Sequence, residues 1–253
     1  MTENIRNSPL CEDLFTQKIY WLHKLSGELP ETTLIADYLR PVPYGKKNQS
    51  ISFELSENLS EAIFKLTNRS YLSIYLVLLS ALKILLNRYT GNDDVIVGSP
   101  VYKIGENEKL NTFVTLRSQV ADSLTFKDFL LQVKDTVIGA YSNQNYPFDE
   151  LVDLLKLPQS ESRCSIFDII ILLENIHNQP CLAETKNDIT FSFVVTENRL
   201  KGKVKYSSLL FKEETINQAI AHYINILEIA LCDINIPLVQ LDFLTAADKK
   251  QLL

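Results

Sequence analysis

The stretch from Ile74 to Tyr89, IYLVLLSALKILLNRY, is the strongest constraint on what this chain can fold into. It is apolar on nearly every side, so as a helix it has no face to give to water and must lie at the centre of a protein. Ser80 and Lys83 break its apolar run, Ile74–Leu86, which is too short to span a bilayer and reads as a buried helix. Ser73 is placed to cap it. A central helix needs other elements on all sides. With 46% of 253 residues hydrophobic and 22% charged, the chain is an ordinary soluble globular one with enough apolar surface for a real core.

Those other elements are legible. Glu12–Lys24 reads as a helix whose apolar side carries Phe15, Ile19 and Leu22, with Tyr20 and Trp21 less regular. Pro30, Pro41, Pro43 and Gly45 then forbid a continuous helix, so this stretch should run extended over a surface. SISFELS alternates as a half-buried strand and Glu57–Thr67 is an amphipathic helix. After the turn TGNDD, DVIVGSPV and NTFVTLRSQVAD read as strands. Thr125 and Asp128 form a capping box before Phe126, Phe129, Val133, Val137 and Ala140 recur at helical spacing. IFDIIILL is strand-like, and DITFSFVVTE with RLKGKVKYSS forms a hairpin turning at Glu197 and Asn198. Glu213–Leu231 is a long amphipathic helix, and Thr245 with Asp248 caps a small last one. Helices and strands alternate throughout, which favours an α/β layered fold over a bundle.

In YSNQNYPFDELVDLL, Asn143 and Asn145 suit a helix end because Asn tolerates left-handed backbone. Pro147 fits the first position of a new helix, running to about Leu157 before Pro158, and Asp149 and Glu150 complement its dipole.

Direct signs of chemistry are scarce. The net charge of -6, with no arginine-rich run, argues against nucleic acid. Cys11, Cys164, Cys181 and Cys232 have no metal-ligand spacing and read as free thiols of a reducing cytosol. The first residues lack the pattern of a signal peptide. No glycine-rich phosphate loop, GxSxG elbow or HExxH occurs. His23 reads as an ordinary surface or boundary residue, His177 in the loop ENIHNQP and His222 on the last helix read as non-catalytic, and Asp93 and Asp94 as a solvated turn.

The pieces nonetheless resemble one family. LLNRYTGNDDVIVGSPV is very similar to the Leu-x-Arg-Tyr-x-Gly-x-x-Asp-x-x-x-Gly-x-Pro run of nonribosomal peptide synthetase condensation domains, matching Arg88, Tyr89, Gly91, Asp94, Gly98 and Pro100. LNTFVTLR keeps Arg117 of a further motif, and NQNYPFDEL resembles (His/Asn)-Gln-Asp-x-Pro-Phe-Glu through Asn143, Gln144, Pro147 and Phe148. YWLHKLSGELP, DYLRPVPYG and the closing VQLDFLTAADKKQLL are also similar to family segments, from about Tyr20 to the end.

The resemblance implies a chloramphenicol-acetyltransferase-like α/β lobe with a central mixed sheet, the C-terminal one of two. It implies amide formation between substrates on phosphopantetheine arms of carrier proteins, with no cofactor bound to this chain directly. The family's His-His-x-x-x-Asp-Gly signature belongs to the other lobe and does not occur here. With Met1 about where the second lobe should start, the expectation is a truncated, non-catalytic lobe. It would be a structural platform of a loading module in the cytoplasm, with an adenylation domain and a carrier protein as partners and neither nucleic acid nor membrane. The alternatives are a fragment of an active condensation enzyme, or a docking module. Residues 1–45 are then an N-terminal helix and proline-marked segment, 46–235 the lobe, and 236–253 a linker. The motif positions are expected to be structural, with no catalytic or metal residue among them. Eroded tunnel-facing segments, at Lys103, at Asn111-Thr112 and at Arg163 to Phe167 where the family's Pro is missing, fit the same expectation.

Overall fold

The computed structural model describes residues 9–42, 45, 47–102, 112–157, 162–177 and 185–251. Met1, Pro43, Lys103, Asn111, Pro158 and Cys181 of the sequence reading lie outside them. Among the described residues, seven α-helices and six strands follow in chain order: α1 (Pro9–Lys24), β1 (Asn48–Glu54), α2 (Glu57–Thr67), α3 (Tyr71–Thr90), β2 (Asp94–Pro100), β3 (Phe113–Gln119), α4 (Phe126–Ser142), α5 (Phe148–Leu154), β4 (Ile169–Leu173), β5 (Ile189–Val195), β6 (Leu200–Ser207), α6 (Glu213–Cys232) and α7 (Ala246–Gln251).

The strands form one mixed sheet in the order β1-β6-β5-β4-β2-β3. β4 pairs in parallel with both β2 and β5, and the other pairs are antiparallel. The expected hairpin is β5–β6, closing where Val195 faces Leu200.

Helix α3 lies at the centre, packed against α2, α4, α6, β2 and β4. It is long and apolar enough to cross a membrane, yet every residue from Ile74 to Asn87 is buried within the protein. It begins earlier than expected. Asn68 and Arg69 both adopt left-handed backbone, so the chain leaves α2 and turns at once into α3 with Ser70, not Ser73, as its cap. Its far end stops at Gly91, whose φ of 66° is the left-handed conformation glycine takes without strain.

The side chains of successive strand residues point to opposite faces. Ser99 faces α3, whose Tyr75 hydroxyl donates to it. Arg117 pairs across from Ile96 and so projects from the other face. There it meets the irregular segment after α1, which runs without a helix as the prolines require. The Ile96 N–H donates to Thr32 Oγ1 (3.1 Å), tying that segment to β2. Farther on, the Asp37 and Tyr38 N–H groups donate to the Leu210 carbonyl. The Lys212 N–H, at the cap of α6, donates to the Asp37 carboxylate, which this bond holds below the usual carboxylate range.

The buried face of α1 is the expected one only at Trp21. Phe15 and Ile19 are 64% and 51% exposed, whereas Gln17, Trp21 and Leu25 are buried. These two sets are each spaced by four, so they are opposite stripes of one helix. Gln17 goes inward because its amide has partners there, Asp13 and the Asn145 N–H.

The joint after α4 also differs in detail. Asn143 caps α4 with φ −114°, outside the left-handed region, and its Nδ2 donates back to the Gly139 carbonyl (2.8 Å). A side-chain hydrogen bond has replaced the left-handed turn. Pro147 stands one residue before α5, as its cap, and α5 ends at Leu154 rather than Leu157. The capping box of Thr125 and Asp128 and the first-turn acids Asp149 and Glu150 are as expected.

Gly98 explains its own identity. A Cβ there would lie 2.5 Å from Phe167 Cε2, inside any allowed contact. Gly98→Ala is expected to destabilise by about 1–3 kcal/mol, the usual cost of overpacking a filled core. Urea denaturation would measure it, and adding Phe167→Leu should recover part of the loss.

Candidate functional site

The motif residues are spent on tying segments together. Arg117 grips the Asp94 carboxylate through Nε (3.0 Å) and Nη2 (2.6 Å), and donates to the carbonyls of Ser26 (2.7 Å) and Glu28 (3.0 Å) beyond α1. Asp94 is therefore paired, contrary to the solvated turn read from the sequence, while Asp93 is exposed and accepts from Asn87 Nδ2. The fork of the guanidinium suits this task, since it serves a carboxylate and two carbonyls at once.

The three residues before Tyr146 each join a different partner, Gln144 through its side chain and Asn143 and Asn145 through the main chain. The Asn143 carbonyl accepts from Trp21 Nε1 (2.8 Å). Gln144 is buried, and its Oε1 accepts from the Tyr102 N–H (2.9 Å). The Asn145 N–H donates to Gln17 (3.1 Å). Pro147 and Phe148 then start α5. Arg88 donates to the Leu238 carbonyl (2.5 Å) and to Asp122 (3.0 Å), and Tyr89 bonds His222 (2.8 Å).

Two buried polar clusters escaped the sequence reading. In the first, Tyr75 donates to Ser99 Oγ (2.7 Å) and Ser99 donates to the Pro100 carbonyl (3.1 Å). Tyr141 stands between Ser99 (3.3 Å) and His177 Nε2 (2.7 Å), and the Leu173 N–H donates to His177 Nδ1 (2.9 Å). A neutral ring that accepts at Nδ1 carries its proton on Nε2, so His177 donates to Tyr141. Burial pushes the Tyr75 and Tyr141 phenols well above their ordinary range, so the cluster is a set of neutral bonds that lock α3, β2, α4 and the end of β4. His177 is 1% exposed and belongs to this lock rather than to a surface.

In the second cluster, the neighbouring starts of the parallel strands β4 and β5 bring Asp168 and Asp188 together. Arg40 binds Asp188 with both terminal nitrogens, Nη1 (2.7 Å) and Nη2 (2.5 Å), and Arg163 binds Asp168 and Glu31. Burial raises the Asp168 carboxyl to about 6, against the pull of Arg163 and Arg40 and with a push from Asp188. A cleft of about 430 Å³ opens beside them, lined by Leu29, Pro30, Glu31, Leu157, Arg163 and Cys164. Arg163 is thus neutralised by carboxylates of its own chain. Burial pushes the Cys164 thiol up, away from reactivity, and Cys164 and Cys232 are free. Among the described residues no group of His, Cys, Asp and Glu is placed to hold a metal.

A family model described as Condensation domain matches residues 8–253. The chain is 31% identical to tyrocidine synthase 3 of Brevibacillus parabrevis and 32% identical to bacitracin synthase 3 of Bacillus licheniformis, each over 96% of this chain and 4% of the relative. It therefore spans a small fraction of the curated relatives it matches. Among solved structures, it superposes on a four-domain nonribosomal peptide synthetase bound to AMP and glycine with a TM-score of 0.79, at 18% identity over 96% of this chain and 21% of that one. The X-domain from teicoplanin biosynthesis gives 0.78 at 20% identity, over 96% of this chain and 59% of that one. The starter condensation domain of rhizomide synthetase, as a mutant with C8-CoA, gives 0.72 at 16% identity, over 92% and 56%.

Proposed function

The chain belongs to the condensation-domain family of nonribosomal peptide synthetases, and we propose that this stretch serves such a synthetase as a non-catalytic lobe. It is a platform on which an adenylation domain packs, while carrier proteins with phosphopantetheine arms serve the assembly around it. The observation that carries this reading is the state of the three histidines. A side chain that speeds amide formation as a general base must lie within hydrogen-bond reach of the acceptor amine. His177 has both ring nitrogens bonded inside the core, and His222 has both bonded between Tyr89 and Asp248. His23 is exposed on the last turn of α1, with no partner among the described residues to orient its ring. The motif residues that remain hold segments together, which suits a platform.

The recombinant chain, mixed with donor and acceptor thioesters on holo carrier proteins, is expected to yield no amide above background by mass spectrometry. Amide formation by the chain alone would overturn the reading. A second reading, one lobe of an active condensation enzyme with its histidine pair on another stretch, is favoured by the length of the relatives, of which this chain covers a few percent. It predicts amide formation by the whole protein that contains this chain, lost when residues 1–253 are removed.

A further inference from the structure

The Arg-Tyr pair at the end of α3 touches a part of the chain far from it in sequence. From Ile234 to Leu241 that segment is built into the lobe. The carbonyls of Ile236 and Ile234 accept from the first N–H groups of α4, those of Phe126 and Lys127, and the Leu238 N–H donates to the Leu124 carbonyl. Arg88 fastens the same place through the Leu238 carbonyl. From Asp242 onward the attachment is of another kind. The contacts described for α7, Ala246–Gln251, to the lobe are polar and run through Asp248.

What holds it is one polar cluster around His222, itself 3% exposed. His222 Nε2 lies 3.0 Å from the Asp248 carboxylate and Nδ1 lies 2.8 Å from the Tyr89 hydroxyl. A carboxylate accepts and cannot donate, so Nε2 carries a proton, and in the neutral ring Nδ1 then accepts from the Tyr89 hydroxyl. All three groups are thereby satisfied in a single tautomer. Phe243 packs edge-on against the imidazole, with ring centres 5.1 Å apart. Asn225 donates to the carbonyls of Asp242 (3.0 Å) and Leu244 (3.2 Å), and Gln218 donates to Asp248 (3.2 Å). Thr245 closes the cluster by capping α7 through the same Asp248.

We infer that Tyr89, His222 and Asp248 form a clamp that docks residues 242–251 on the lobe as one unit, and that opening the clamp releases this unit while the sheet and α6 stay folded. A segment held by a few polar contacts opens locally at a lower free energy than the core. The tyrosine shared with the condensation family thus acts at a distance, as a positioning residue for the terminal helix. On the platform reading above, the clamp also fixes the direction in which this end meets an adenylation domain. The clamp itself stands without that reading.

Hydrogen exchange followed by mass spectrometry on the whole chain tests it. In Tyr89→Phe, which removes one oxygen, and in His222→Phe, amides of 242–251 are expected to exchange at least about tenfold faster, with α6 and the strands unchanged. Tyr89→Phe combined with Asp248→Asn should add little to either alone, because the clamp is one unit. Unchanged exchange over 242–251 in both single variants would overturn the inference, as would equal loss of protection across α6 and the sheet. Neither result bears on whether the chain forms amides, so the functional reading is tested separately.

Discussion

Trp21→Ala is expected to lower the stability of the protein by about 3–5 kcal/mol, the range for deleting a large buried aromatic. Trp21 is 2% exposed and its ring packs edge-on to Tyr20, with centres 5.0 Å apart. Its Nε1 donates to the Asn143 carbonyl, at the end of α4. The variant therefore leaves a cavity and also a carbonyl without its donor. Trp21→Phe separates the two, since it keeps most of the packing and loses the bond, at a cost of about 1–3 kcal/mol. Denaturant titrations of the two variants would check both values. A loss near zero for Trp21→Ala would mean that α1 is not docked on the α4–α5 joint.

That joint shows how far sequence could reach. The Asn, Pro and acidic residues of SNQNYPFDEL announce a break between two helices, because their effects on the backbone are local. What Asn143, Gln144 and Asn145 bind was not legible, since Trp21, Tyr102 and Gln17 are brought to them only by the fold. The inward stripe of α1 is legible only at Trp21, for the same reason. Composition favours Phe15 and Ile19, and the structure selects Gln17, Trp21 and Leu25 because the joint offers partners to an amide and an indole. His177 and His222 were read as ordinary positions, yet each is buried and fully bonded. Their partners are 36 and 4 residues away for His177, and 133 and 26 away for His222. Periodicity and capping see a turn or two of chain, so they found the strands and helices and missed the polar clusters between them.

Lys83→Met is expected to stabilise the protein at neutral and acidic pH by about 1–4 kcal/mol, the scale of gain known where buried ion pairs are replaced by well-packed apolar residues. Lys83 sits on the central helix and is fully buried. Its Nζ donates to the Leu116 carbonyl (2.6 Å) and the Val95 carbonyl (3.2 Å), bridging β3 and β2. Neutral carbonyls repay only part of the lost hydration of an ammonium. Burial, with Lys24 adding to it, therefore lowers the amine from 10.5 to about 7, against the opposing influence of Asp94. In the unfolded chain the amine stays protonated up to 10.5. Between those two values the unfolded state binds the extra proton, so the stability of the wild type rises with pH there, by up to about 1.4 kcal/mol per unit. Below pH 7 both states are charged and the penalty is complete. The advantage of Lys83→Met should thus be largest near pH 6 and shrink steadily toward pH 10. Taking the difference between the two proteins at each pH removes the other titrating groups they share. A variant less stable than wild type at pH 6, or a difference that does not move with pH, would show that the amine is not a desolvated cation. In that case the two strand carbonyls would be a better solvent for it than burial suggests. Lys83→Ala distinguishes packing from charge, because it removes the same cation and leaves a cavity under β2 and β3. It should gain less than Lys83→Met at pH 6 and fall below the wild type at pH 10.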